Sequence, residues 1–217
     1  MDSEEDVADV SSEEIGTLTL SYTKTVVAAV LDPIAELYAA GEGRFEWERG
    51  SLLRMEPTSD EHDEEMGFVY ATLRYFAEET DAGRVKADGF AERLDANTVR
   101  VPDVAFFRKD NLGKIKPTHS EGGADLVIEI VSPDSRNRDR GEKFYDYERA
   151  GVEEYWIVDP ERRRAEFYRL REGAYEPVLP DTEGRLYSST LPGFFLRVEW
   201  LWQRPKLKDV LRELGIL

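Results

Sequence analysis

Residues 125–131 read Asp-Leu-Val-Ile-Glu-Ile-Val, and Ser132-Pro133-Asp134 follows them. Four of the five aliphatic residues are β-branched, which suits a pleated strand. Side chains alternate across a strand, so Leu126, Ile128 and Ile130 share one face, while Val127, Glu129 and Val131 share the other. Both faces are apolar apart from Glu129, the pattern of a strand buried within a sheet. Proline breaks the run, residues 138–150 read as a helix, and Gly151 supplies a C-terminal cap. A second strand at 155–158 completes a strand–helix–strand unit, which predicts an α/β fold with a sheet covered by helices.

Working outward, residues 164–170 pair back onto 155–158 across Asp159-Pro160-Glu161. Upstream, residues 98–107 form a strand pattern interrupted by Pro102-Asp103. Proline cannot donate to a sheet ladder, so a bend or bulge is expected there. Residues 44–48 and 52–55 flank a turn at Arg49-Gly50 and predict a hairpin. Met66, Val69, Tyr70, Leu73, Phe76 and Ala77 recur at helical spacing and predict a helix over 60–80 capped by Ser59 or Asp60. Short strands follow at 84–87 and 90–94, a surface loop at 108–124 and a last helix at 206–214. Ahead of the hairpin, a short helix from Pro33 ends near Gly41. Residues 16–30 fit strand and helix equally, and residues 1–15 read as a solvated acidic tail. The expected organisation is a tail and short lead-in over 1–40 and one domain over 41–217.

The composition, 41% hydrophobic and 11% aromatic over 217 residues, is that of a folded globular chain. The absence of cysteine excludes disulfides and thiolate metal sites. No run reaches the roughly 20 apolar residues of a membrane span. The acidic start, unlike the basic start of a signal peptide, makes a cytoplasmic location the expectation. A net charge of −17 opposes non-specific binding of polyanions. The charge is uneven, however. Nine basic residues face 24 acidic ones up to position 100, and 20 face 22 beyond it.

Glu129 is the chemical anomaly of residues 125–131. An ionised carboxylate on a buried strand costs several kcal/mol unless a partner or a metal neutralises it. A salt bridge to arginine is the plainer explanation for a lone glutamate. Asp103, beside the proline bend, supplies a second carboxylate, and if the two strands are neighbours the pair could converge on a hard cation with water completing its shell. Asp103 could equally cap its own turn. A lysine commonly accompanies such a pair, to orient the attacking water and offset charge. Position 131, two residues beyond Glu129 on the same face, holds valine. The nearest bases lie at 136–143, where Arg140, Lys143 and Tyr147 fall on one helical face; a solvated basic face is the ordinary reading of such a run.

Val101-Pro102-Asp103-Val104, together with residues 125–160, DLVIEIVSPDSRNRDRGEKFYDYERAGVEEYWIVDP, resembles the Uma-two family of restriction endonucleases within the PD-(D/E)XK superfamily. The resemblance extends to Phe45-Glu46-Trp47-Glu48-Arg49-Gly50 and to the helix opening with His62, covering about residues 44–200. It implies a restriction-endonuclease-like mixed sheet flanked by helices, and Mg²⁺- or Mn²⁺-dependent cleavage of DNA. Under it Asp103 and Glu129 match the two acids, and Lys143 matches a lysine displaced from the strand to the following helix. Glu46 matches an auxiliary carboxylate. His62 matches a position that either touches substrate or merely begins a helix. Nuclease folds that cut both strands often dimerise, so the resemblance is compatible with a homodimer, and the lack of a long apolar run gives no membrane as the expectation. Two other classes stay open: a nuclease-fold binding protein without activity, and a hydrolase of another phosphate ester.

Overall fold

The computed structural model describes residues 32–133 and 135–217, so the expectations for residues 1–31 lie outside the described part. A six-stranded mixed sheet forms the centre, in the order β11-β10-β9-β8-β6-β3. Its middle is β8 (Leu126–Ile130), the strand at the heart of the sequence argument. β9 (Glu154–Asp159) lies parallel to β8, and β6 (Val104–Arg108) lies antiparallel on the other side. β3 (Gly83–Ala87) closes one edge, while β10 (Arg164–Arg171) and β11 (Ala174–Pro177) close the other.

The alternation read from sequence separates two cores. Leu126, Ile128 and Ile130 pack with Val104, Phe106, Trp156 and Val158 beneath a helix over Asp60–Glu79. Val127 and Val131 pack on the opposite face with Ala105, Phe107, Tyr155 and Ile157. We number the helices α1 (Pro33–Ala39), α2 (Asp60–Glu79), α3 (Arg136–Asp139), α4 (Glu142–Arg149), α5 (Trp200–Gln203) and α6 (Leu207–Glu213). Ser59 caps α2, its hydroxyl accepting from the His62 amide. α4 covers the second core, with Phe144 edge-on to Tyr155, Tyr168 and Tyr175 at centroid distances of 6.2, 5.0 and 5.1 Å.

A second sheet of five strands runs β2-β1-β5-β4-β7. Its hairpin joins β1 (Arg44–Glu48) and β2 (Ser51–Met55), as expected. Arg49 and Gly50 both have positive φ, +48° and +87°, the backbone that a two-residue turn of matching twist requires. β5 (Thr98–Arg100) pairs with β1 and with β4 (Ala91–Asp95), and β7 (His119–Glu121) lies beside β4. α1 packs here through Ile34, which is buried with Trp47, Val99 and Val101.

Three expectations change. The strand pattern over 98–107 is two strands in two different sheets: at Val101-Pro102-Asp103 the chain leaves the five-stranded sheet and enters the six-stranded one. The bend is therefore a sheet exchange rather than a bulge. The helix expected over 138–150 is broken at Arg140-Gly141. A Cβ on Gly141 would meet the Asn137 carbonyl at 2.8 Å, a close approach that only glycine permits. The segment expected to be loop over 108–124 contains a 3₁₀ turn, Lys109–Lys114, and strand β7.

Candidate active site

The β6–β8 register pairs Val104 with Ile128 and Ala105 with Val127. One further step along it sets Asp103 beside Glu129. Both are almost fully buried, at 4% and 2% exposure, and both line one narrow cavity of about 60 Å³. That is room for a few water molecules or a small hydrated ion, not for a nucleotide.

Asp103 is held from three sides. Its Oδ2 accepts from the Ile130 amide at 2.7 Å and faces His62 Nε2 at 3.3 Å, while Arg44 stands 3.6 Å from Oδ1. Burial works against its ionisation, but His62, Lys143 and the Ile130 amide outweigh burial and hold its carboxyl below the usual range. His62 responds reciprocally: burial disfavours its protonation, yet the Asp103 carboxylate overcomes this and raises its pKa.

Glu129 is bonded at one oxygen. Oε1 accepts from Tyr147 Oη at 2.8 Å and lies 2.9 Å from Lys143 Nζ. The plain arginine partner suggested for Glu129 is therefore not what it finds. Burial pushes the Glu129 carboxyl well above its ordinary range; Lys143 opposes this, and Asp103, Asp139 and Glu46 add to it. Lys143 is itself 1% exposed, within 3.4 Å of Glu46 and 3.5 Å of Asp139. Burial favours its neutral form, but Glu129, Glu46 and Asp139 reverse that and raise its pKa. The solvated-face alternative for Lys143 does not describe this side chain.

Glu46 does not border the cavity. It is fully buried and bridges Lys143 to Arg100, whose Nη1 lies 3.0 Å from Glu46 Oε2. Burial resists its ionisation, but Lys143 and Arg100 together lower its pKa. His62 is not a surface residue; it is buried against Asp103 and lines the cavity. Arg140 is not brought to the cavity. The break at Gly141 turns it to Glu166, 2.6 Å away, and toward Asp159 at 3.8 Å.

Three participants escaped the sequence argument. Arg100, with no exposed surface, bonds Asp146 through Nε at 3.1 Å and Nη2 at 2.6 Å, so β5 holds the helix that carries Lys143. The signal was present, since Arg100 lies between Val99 and Val101 in a strand pattern, as anomalous as Glu129 in its own. Asp139 lies buried four residues before Lys143, within the charge run read as solvated. Arg138 borders the cavity, and no carboxylate among the described residues lies within 4.0 Å of it.

The donor set suits a hard cation. Asp103 and Glu129 offer oxygen ligands, buried Asp139 Oδ1 makes no hydrogen bond, and burial, with neighbouring acids adding to it, raises the pKa values of Glu129 and Asp139 against the pull of Lys143. Among the described residues no three His, Cys, Asp or Glu side chains form a closed metal cage. Magnesium commonly uses one or two carboxylates and keeps water in its remaining positions.

The family model Uma2 (Uma-two), described as a putative restriction endonuclease, matches residues 32–199. Among solved structures, the crystal structure of a putative nuclease belonging to DUF820 from Anabaena variabilis aligns with a TM-score of 0.66 and 14% identity, covering 79% of this chain and 97% of that one. At that identity the likeness speaks for the fold alone. No curated protein matches the chain. No helix among the described residues is long and apolar enough to cross a membrane.

Proposed function

This chain belongs to the Uma2 family, described as putative restriction endonucleases, and from that premise we propose that it hydrolyses DNA phosphodiester bonds with Mg²⁺ or Mn²⁺ held by Asp103 and Glu129. The observation that carries the reading is the meeting of these two buried carboxylates, from neighbouring strand positions, on one cavity that Lys143 also lines. A structural salt bridge needs one acid and one base and no opening. Here four acids, Glu46, Asp103, Glu129 and Asp139, surround one lysine beside an opening.

When bound, the cation supplies a Lewis acid for the phosphoryl oxygen and a water of lowered pKa. The chain's own groups do the rest. The Ile130 amide and His62 fix Asp103 Oδ2, leaving Oδ1 less engaged. Tyr147 donates its hydroxyl proton to Glu129 Oε1, the oxygen that also faces Lys143, leaving Oε2 free of a hydrogen bond among the described residues. Lys143 keeps its proton at Nζ; its bond to Glu129 is short, and its contacts to Glu46 and Asp139 are long enough to yield to a water or a phosphoryl oxygen. A fixed ammonium there offsets charge that develops in the transition state. Arg100, through Asp146, positions α4 and with it Lys143.

A second reading, a nuclease-fold protein that binds without cutting, draws on the net charge of −17 and on the lack of a three-ligand cage among the described residues. Incubation of plasmid and linear DNA with Mg²⁺ or Mn²⁺ separates the two. The nuclease reading expects metal-dependent cleavage by the parent protein and none by Glu129→Gln. Cleavage that survives Glu129→Gln would reject the assignment, and binding without cleavage under either metal would favour the second reading.

A further inference from the structure

We propose, resting on the nuclease reading above, that Arg54 and Arg138 form a phosphate-gripping pair at this cavity and hold the DNA backbone beside the bond to be cut. The cavity reverses the charge of the chain. Arg44, Arg54, Arg138 and Lys143 line it against three acids, Glu56, Asp103 and Glu129, in a protein with 46 acidic and 29 basic residues. Two of the four bases are committed inward: Arg44 lies 2.6 Å from Asp88 and 3.6 Å from Asp103, and Lys143 serves Glu129. Neither Arg54 nor Arg138 has a carboxylate within 4.0 Å among the described residues.

The surroundings of Arg138 sharpen the point. In the run 136–140, Arg136 is drawn to Asp159 at 3.3 Å and Glu161 at 2.7 Å, and Arg140 to Glu166. Arg138 alone of the three borders the cavity, and its Nε is buried with no hydrogen-bond partner. Arg54 arrives from another segment, exposed on β2 at the edge of the five-stranded sheet. A cavity of about 60 Å³ admits no nucleotide, so the backbone must be gripped at the mouth. Arginine suits that task, since its planar fork matches the geometry of phosphate oxygens. Contacts of this kind position the duplex and carry no base information.

The test is fluorescence anisotropy of a labelled DNA duplex against the full chain, with calcium replacing magnesium, over a range of salt and with two unrelated sequences. Each phosphate contact contributes about 0.9 to the slope of log affinity against log salt. Arg54→Gln and Arg138→Gln should each lower that slope by about 0.9 and weaken binding roughly tenfold near 0.1 M salt, equally for both sequences. Arg138→Lys should retain the slope, which separates lost charge from lost folding. Arg49→Gln, on the hairpin turn and outside the cavity lining, should behave as the parent. If the parent binds and both glutamine variants keep its slope, the pair is refuted while the nuclease reading stands. A loss confined to one sequence would mean base contact and would also refute it. A parent protein that binds no DNA at any salt overturns both.

Discussion

Glu129 and Glu92 are both buried carboxyls on strands, and burial raises the pKa of both, yet their surroundings have little in common. Glu92, on β4 of the five-stranded sheet, accepts the Ala124 amide at 3.1 Å through Oε2, and its Oε1 has no partner. Burial pushes it to about 8, with the Ala124 amide and Lys114 opposing and Asp125 adding. It is not among the residues of the cavity that Asp103 and Glu129 share. Glu129 has an ammonium at 2.9 Å, a phenol at 2.8 Å, three further acids nearby and an opening. A perturbed carboxyl does not mark a site by itself. What distinguishes Glu129 is a second buried carboxylate, Asp103, on the same cavity, where a cation could engage both.

The largest way to break this comparison is at Lys143. Lys143→Ala leaves Glu46, Glu129 and Asp139 without their shared cation, and breaking a buried pair costs roughly 3–5 kcal/mol. Thermal melting should register that loss, and Mn²⁺ should restore part of it by occupying the acids' surroundings. Under conditions where the variant is folded, DNA cleavage should fall by roughly 10²-fold or more. A variant that melts with the parent would show that the ammonium does not balance these acids.

Glu92→Gln tests the other half. The folded pKa of about 8 lies above the ordinary 4.5, so the fold favours protonated Glu92. The stability it contributes is fully present below about pH 4.5 and is lost as pH rises through about 8. Glutamine, which cannot ionise, should therefore raise the unfolding free energy above about pH 8, by a few kcal/mol, and leave it unchanged near pH 4.5. An equal effect at both pH values would mean that Glu92 does not titrate in this range.

A smaller effect concerns His62. Asp103 raises its pKa, so Asp103→Asn should move the His62 titration downward in an NMR pH series. A titration that stays in place would show that Asp103 is not the charge His62 feels. Smallest is Arg140→Gln. Its bond to Glu166 is partly exposed and lies away from the cavity, so stability should change by about 0–1 kcal/mol and cleavage by less than threefold.

Much of this was legible in the chain. The strand over 125–131 shows its two faces by alternation, and the hairpin and α2 show themselves by turn chemistry and helical spacing. Asp103 and Glu129 stand out because a charge inside an apolar pattern has to be explained. What escaped depends on contacts between distant segments. Nothing local reveals that Pro102 marks an exchange between sheets, because a bulge and a sheet exchange both follow from a missing amide. Lys143 lies in a charged stretch, and spacing alone cannot say which bases of such a stretch turn inward. Gly141 decides that by breaking the helix, sending Arg140 to Glu166 and Lys143 to Glu129. Arg100 required knowing that Glu46 and Asp146, 54 and 46 residues away, converge on it.

The central claim is that Asp103 and Glu129 together hold a divalent cation whereas Glu92 does not. Calorimetric titration of the full chain with Mn²⁺ tests it most directly. Saturable binding is expected for the parent, retained in Glu92→Gln and abolished in both Asp103→Asn and Glu129→Gln, each checked for folding by circular dichroism. Binding that persists in folded Asp103→Asn and Glu129→Gln, or disappears in Glu92→Gln, would contradict it.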